Sequence, residues 1–155
     1  MRLDGRRERS VTASADAVPR PAGAMSYRQG IRYAMNVLNG EWPVEVLASL
    51  AAKPMTYTAL LEAINSNEER IGWTSHPQPI SQKVLSATLL RMRRDGLIAR
   101  SREAGPFSPA WYRLSPIGET LLRALRPLAK WSVDNNDSVA EARARYEDAG
   151  SSDES

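Results

Sequence analysis

Between positions 81 and 102 the chain sets out Ser81, Gln82, Lys83, Ser86, Arg91, Arg93, Arg94, Arg100 and Arg102. Hydroxyl, amide and cationic groups are the side chains that hydrogen-bond base edges in a DNA groove and neutralise phosphates. Whether they act together depends on the element that carries them. Val84, Leu85, Leu89 and Met92 recur at helical spacing and predict a helix that buries those four. Gln82, Lys83, Ser86, Ala87, Leu90, Arg93 and Arg94 are then left facing outward. Ser81 stands at the N-cap position behind Pro79 and Ile80, and Gly96 at the C-cap, where a positive φ is free of steric cost. The first turn of such a helix approaches bases most closely, which makes Gln82, Lys83 and Ser86 the base-reading candidates. Its N-terminus also favours a phosphate. Arg91, Arg93 and Arg94 lie nearer the far end and suit the nucleic-acid backbone. A plain solvated helix face accounts for the same residues, and the helix alone does not decide.

The segments on either side shift the balance. Residues 97–102 alternate as a strand, Gly105, Pro106 and Pro109 mark a turn, and residues 110–114 return as a second strand. Arg100 and Arg102 thus sit on a hairpin directly behind the basic helix. Ser115-Pro116 then reads as a helix start, with Leu121, Leu122, Leu125, Leu128 and Trp131 along one side and a kink expected at Pro127. After Asp134-Asn-Asn-Asp137 a last polar helix is expected from Ser138 to Tyr146, followed by a disordered end. Upstream, Ile31, Ala34, Met35 and Leu38 share one helical face, and Trp42, Val46, Leu47 and Leu50 another, with Asn39-Gly40 separating the two helices and Pro43 in the first turn of the second. Thr56 is the expected N-cap of a helix from Tyr57 to Ile64 that turns Leu60, Leu61 and Ile64 inward. Residues 65–79 read as a loop with one turn near Glu68–Ile71, long for a connection inside a small domain.

Charge is distributed unevenly. Residues 1–33 hold seven cations against three anions, residues 81–105 six against two, and residues 133–155 two against seven. Clustered cations point to a polyanionic partner, and the acidic end to solubility or partner choice. The domain reading is a disordered basic leader at 1–25, a DNA-binding and dimerisation domain at 26–132, and an acidic helix with a disordered tail at 133–155. The leader can also be read as a basic arm that touches phosphates or a minor groove, and Met25 as an alternative start.

Other chemistry finds little support. The chain has no cysteine, which removes disulfides, thiolate metal sites and cysteine nucleophiles. His76, the single histidine, has no ligand set near it in sequence, so it reads as an exposed loop residue and no metal or other cofactor is expected. Glu68-Glu69 and the Glu41–Glu45 pair read as helix and loop surface rather than a catalytic dyad. There is no glycine-rich phosphate loop and no nucleophile elbow, so an enzyme is not expected. Trp42, Trp111 and Trp131 read as core or dimer contacts. No apolar run approaches the length of a membrane span, and the arginines at the N-terminus are not followed by the apolar stretch of a secretory signal, which makes a bacterial cytoplasmic location the expectation.

Four groups of residues resemble the HxlR-type winged-helix regulators. They are Gly40-Glu-Trp42, Ile80-Ser-Gln-Lys-Val-Leu85, Leu89 with Met92-Arg-Arg-Asp-Gly-Leu97, and Tyr112-Arg-Leu-Ser-Pro-Ile-Gly118. The likeness covers residues 35–131, and Ala142-Arg143 with Tyr146 extends it. What the resemblance implies is a homodimeric bacterial transcription factor whose first and last helices form the dimer and whose two recognition helices address a pseudo-palindromic site. Two departures stand out. Thiol sensing, used by some members, has no cysteine to rest on here, and the loop at 65–79, with Trp73, is longer than the family's short turn. Leu90 is also unusual on a face expected to be polar, and a contact with the Trp73 loop would account for it.

The expected fold is therefore mainly α with a small β-hairpin wing, a winged helix-turn-helix. The expected function is sequence-specific binding of double-stranded DNA by a homodimer, as a repressor rather than an activator. Two alternatives stay open: a winged helix used as a protein-binding module, and a regulator gated by a small-molecule effector.

Overall fold

The computed structural model describes residue 23, residues 25–72 and residues 74–152. The reading of residues 1–25 as a disordered leader falls almost wholly outside these, as do the role given to Trp73 and its suggested contact with Leu90. The described residues fall into two compact units that divide between Asn36 and Val37.

In the first unit, helix α1 (Tyr27–Val37) opens on a reciprocal capping box. The Gln29 backbone N–H donates to Ser26 Oγ at 3.3 Å, and the Ser26 N–H donates to Gln29 Oε1 at 2.9 Å. Tyr27, Ile31, Tyr33 and Met35 are all exposed along it.

In the second unit the chain breaks between helices at Asn39-Gly40, where Gly40 adopts φ +114°. Helix α2 (Pro43–Leu50) places its proline in the first turn, where no N–H is needed, and buries Val46, Leu47 and Leu50 beside Trp42. The two-residue strand β1 (Met55–Thr56) leads directly into α3 (Tyr57–Arg70). Thr56 serves both, pairing in the sheet and accepting a capping hydrogen bond from the Ala59 N–H at 3.3 Å.

Helix α3 runs six residues beyond the end expected at Ile64. Asn65, Ser66 and Asn67 have weak helix propensity, but Asn65 is anchored on Ile80 and Glu68 is paired with His76, so contacts with the following segment hold the added turns. The loop expected at 65–79 is thus shortened to a connector at 71–81. Asn65 pins the far end of that connector: its Oδ1 accepts from the Ile80 N–H at 2.9 Å and its Nδ2 donates to the Ile80 carbonyl at 3.5 Å. Asn65→Ala leaves both Ile80 backbone groups without that partner and is expected to cost about 1–3 kcal/mol in denaturant unfolding. An unchanged midpoint would show that the pincer contributes nothing.

Helix α4 (Gln82–Arg94) starts where expected, with Ser81 Oγ accepting from the Val84 N–H at 3.2 Å. It ends in a Schellman motif: Gly96 at φ +73° donates to the Arg93 carbonyl at 3.1 Å, and Leu97 donates to the Met92 carbonyl at 2.9 Å. Strands β2 (Ile98–Arg102) and β3 (Ala110–Leu114) form the expected hairpin, in register Arg100 opposite Tyr112. β1 adds to the other edge of β3, so the antiparallel sheet runs β1-β3-β2.

Ser115 joins the sheet to the last helix. Its Oγ donates to the Gly96 carbonyl and accepts from the Gly118 N–H, while its own N–H donates to the Leu97 carbonyl. Helix α5 (Pro116–Ser152) is a single helix of 37 residues that runs through Pro127 and through the Asp134–Asp137 stretch read as an interruption. Within that stretch Lys130 Nζ pairs with Asp134 at 2.6 Å and Asn135 Nδ2 donates to the Trp131 carbonyl at 2.8 Å, so the polar residues serve the helix at i,i+4 spacing. Leu121, Leu122 and Leu125 pack against the core, whose centre is Leu47, Leu60, Leu85 and Leu89. Leu128 and Trp131, expected on the same side, lie past the core and are exposed.

Candidate nucleic-acid interface

A helix advances 100° per residue, and on α4 this gathers Gln82, Arg93, Ser86, Leu90, Lys83, Arg94 and Ala87 into one arc, all of them exposed. Leu85, Thr88, Leu89 and Met92 fill the opposite arc and are buried. Val84 is the correction: expected in the buried stripe, it is 42% exposed, and Thr88 takes its place. The angular step puts Val84 at the edge of the buried arc, beside Arg91.

Arg91 is also placed apart from the other candidates. It is half-buried and turned toward the start of α2, with its guanidinium occupying the space a side chain on Gly40 would need: a Cβ there would come within 2.8 Å of Nη2. Its Nε is buried without a hydrogen-bond partner. Gly40 therefore answers two demands, a positive φ and room for Arg91.

Ser86 is exposed but engaged. The Tyr57 hydroxyl donates to the Gln82 carbonyl at 2.8 Å and lies 3.0 Å from Ser86 Oγ, which ties the first turn of α3 to the first turn of α4. Nothing in local spacing indicates Tyr57, since it is 25 residues from Gln82. Lys83 and Gln82 stay open at the helix entrance, Arg93 and Arg94 at its exit. On the wing, Arg100 and Arg102 are exposed on one face of β2 by the period of two. Phe107, at the turn between the strands, is 97% exposed. Eight of the nine candidates thus sit on the α4 entrance, its outward arc or the wing, and Arg91 alone packs inward.

The connector before α4 holds what sequence reading missed. His76, expected to be exposed, is buried because the connector folds back over α2 and stacks the imidazole on Trp42, with ring centroids 3.8 Å apart and planes 18° from parallel. Its Nε2 lies 2.8 Å from the Glu41 carbonyl, and its Nδ1 3.3 Å from Glu68 Oε1. Glu68, expected on the surface, is buried as well. Burial pushes the imidazole down, but the Glu41 carbonyl and the Glu68 and Glu45 carboxylates outweigh it and hold the His76 pKa above its ordinary value. Burial likewise raises Glu45, against a backbone hydrogen bond and His76, which lower it. His76 has no ligand neighbours along the chain, but in space it has two carboxylates.

Among the described residues, no helix is long and apolar enough to cross a membrane. A helix pair joined by a connector, a second helix with a polar and cationic outer face, and an arginine-bearing hairpin behind it define a winged helix-turn-helix. The HxlR-like helix-turn-helix family profile matches residues 37–140, and the chain belongs to that family. It is 28% identical over 102 residues to the uncharacterised HTH-type transcriptional regulator YdzF of Bacillus subtilis, covering 65% of this chain and 82% of YdzF. The structure is similar to a putative MarR-family transcriptional regulator from Enterococcus faecalis V583, with TM-score 0.59 and 25% identity over 80% of this chain and 97% of that one. It also shares its fold with the reduced form of the regulator YodB from B. subtilis, at TM-score 0.51 and 18% identity over 66% and 88% of the two chains. The chain is accordingly a helix-turn-helix transcriptional regulator and not an enzyme.

Proposed function

We propose that the chain acts as a homodimer that binds double-stranded DNA sequence-specifically, with α4 in the major groove and the wing on the flanking backbone. The observation that carries this is the outward arc of α4, which exposes amide, ammonium and guanidinium groups while its opposite arc is fully committed to the core. Gln82 and Lys83 stand at the entrance and read bases. Ser81 caps the helix so that its free N–H groups can meet a phosphate. Ser86, held by Tyr57, sets the rotation of the helix in the groove. Arg93, Arg94, Arg100 and Arg102 neutralise phosphates. Arg91 contributes through its contact with the Gly40 turn rather than by reaching DNA.

Dimer formation is supported by the far half of α5. There Leu128, Trp131, Val139, Ala142 and Tyr146 recur at intervals of three and four around Asn135, and Leu128, Trp131 and Tyr146 are strongly exposed. An apolar seam of that period needs a partner helix. A dimer presents two recognition helices and so favours a pseudo-palindromic site. Occupying such a site excludes other proteins without further contacts, which makes repression the simpler output. A protein working on the chromosome of a bacterium is placed in the cytoplasm.

Two substitutions separate the roles. Lys83→Ala is expected to weaken binding to the selected site by about 1–3 kcal/mol while leaving random duplex almost unaffected. Arg94→Ala is expected to weaken all sequences alike and lower the salt slope by about one unit. Selection from a random duplex pool, followed by titration at several salt concentrations, measures both. If neither substitution changes DNA binding, α4 is not the reading helix; if no motif is enriched, the protein-module alternative gains the ground.

A further inference from the structure

Three lone-pair donors from three separate elements converge beside Trp42. Glu45 comes from α2, Glu68 from the last turns of α3 and His76 from the connector into α4, and one donor atom of each lies within 4.8 Å of the others. Two features set this cluster apart from surface carboxylates. Glu68 is 1% exposed, and its Oε2 is buried without a hydrogen-bond partner, as are Glu45 Oε2 and His76 Nδ1. Desolvated oxygens of this kind are costly unless a proton or a cation answers them. The second feature is the way the imidazole is held. Its Nε2 faces the Glu41 carbonyl, which only accepts, so Nε2 carries a hydrogen, and Nδ1, 3.3 Å from Glu68 Oε1, is the ring nitrogen at which a cation could take the place of a proton. Metal-bound histidines are fixed by the same arrangement, one ring N–H on a carbonyl and the other nitrogen on the ion.

We propose that Glu45, Glu68 and His76 bind one divalent transition-metal ion, zinc or a first-row neighbour, with a fourth position left to water. The 3.3 Å between His76 Nδ1 and Glu68 Oε1 matches the edge of a tetrahedron whose bonds are about 2.0–2.1 Å. Glu45, half-buried, is the ligand with room to adjust. An imidazole with two carboxylates suits zinc, iron, cobalt or nickel; calcium and magnesium prefer all-oxygen shells with more ligands. The ion would tie the connector to α2 and α3 from inside, a few residues ahead of the Ser81 cap. The site stands on these residues alone and does not require the DNA-binding reading.

The test uses the full chain without an affinity tag, stripped with a chelator and titrated with Zn²⁺ against a chromophoric competitor. The expected result is uptake of one equivalent at micromolar affinity or tighter, with a higher melting temperature. Co²⁺ in its place is expected to show the visible absorption of a four-coordinate site. Glu45→Gln, at the most exposed of the three ligands, is expected to fold normally and to lose about 100-fold in affinity. His76→Gln is expected to abolish uptake. No uptake by the native chain overturns the site, and so does uptake undiminished in Glu45→Gln, which would put the ion on the acidic surface elsewhere. Should His76→Gln or Glu68→Gln fail to fold, Glu45→Gln still decides. A nitrogen NMR spectrum in which both ring nitrogens of His76 stay protonated at saturating Zn²⁺ overturns it as well.

Discussion

Gly118→Ala is expected to destabilise the second unit by about 3 kcal/mol or more, the upper end of overpacking substitutions. A Cβ on Gly118 would sit 2.1 Å from the Leu97 carbonyl oxygen and 3.1 Å from its carbon, both of them backbone atoms that cannot swing aside. That carbonyl also accepts the Ser115 N–H, and Gly118 donates its own N–H to Ser115 Oγ. The crowding therefore falls on the joint between the end of α4, the wing and the start of α5. Gly150→Ala is the matched control, because a Cβ there meets nothing within 4 Å and helix propensity favours alanine by up to about 1 kcal/mol. Denaturant unfolding of the two variants reads the contrast. Equal midpoints would mean that α5 does not approach the Leu97 backbone in solution.

Truncating Trp131 to alanine is expected to weaken self-association by roughly 2–4 kcal/mol, or about 30- to 700-fold in the dimer dissociation constant. Trp131 is 55% exposed, so little of its packing within the chain is lost and the fold should hold. It lines a shallow apolar groove on α5 with Asn135, Val139, Ala142 and Tyr146, and a large rigid aromatic ring at such a place carries much of an interface's energy. Sedimentation equilibrium across a concentration range measures the effect. Specific DNA affinity should fall with it, because a monomer holds a single half-site, while the salt slope per protomer should not change. A dissociation constant equal to that of the native chain would move the dimer to another surface, and the apolar face of α1 would be the next to test.

The contrast between α4 and the connector before it shows where sequence reading succeeds. For α4, the cap at Ser81, the stop at Gly96 and the polar outer arc are all properties of residues within a few positions of one another, and they were legible. Val84 departs from the expected stripe because apolar character alone does not say which edge of a stripe reaches the core; Thr88, polar yet buried, holds the position instead. The composition of Asn65–Arg70 indicates a loop, but the contacts of Asn65 with Ile80 and of Glu68 with His76 hold it in the helix. In α5 the Asp134–Asp137 stretch looked like a break because its residues are polar. In three dimensions they hydrogen-bond back along the helix, and no break occurs. The Leu-Ser-Pro-Ile-Gly stretch was visible as a pattern, whereas the reason for its glycine is a contact with a carbonyl 21 positions away.

What the amino-acid sequence determines by itself is the order of helices and hairpin around α4 and the chemistry they display. Helix periodicity, capping residues, turn glycines and the clustering of arginines act over one or two turns, so they specify the elements of a winged helix and their cationic outer face. The tertiary structure alone decides what is hidden. It buries His76 and Glu68 beside Glu45, turns Arg91 in against Gly40, and ties Tyr57 to Ser86. Each of those contacts joins residues 8 to 51 positions apart, and burial at such a distance depends on which surface the chain folds over, which no local period records.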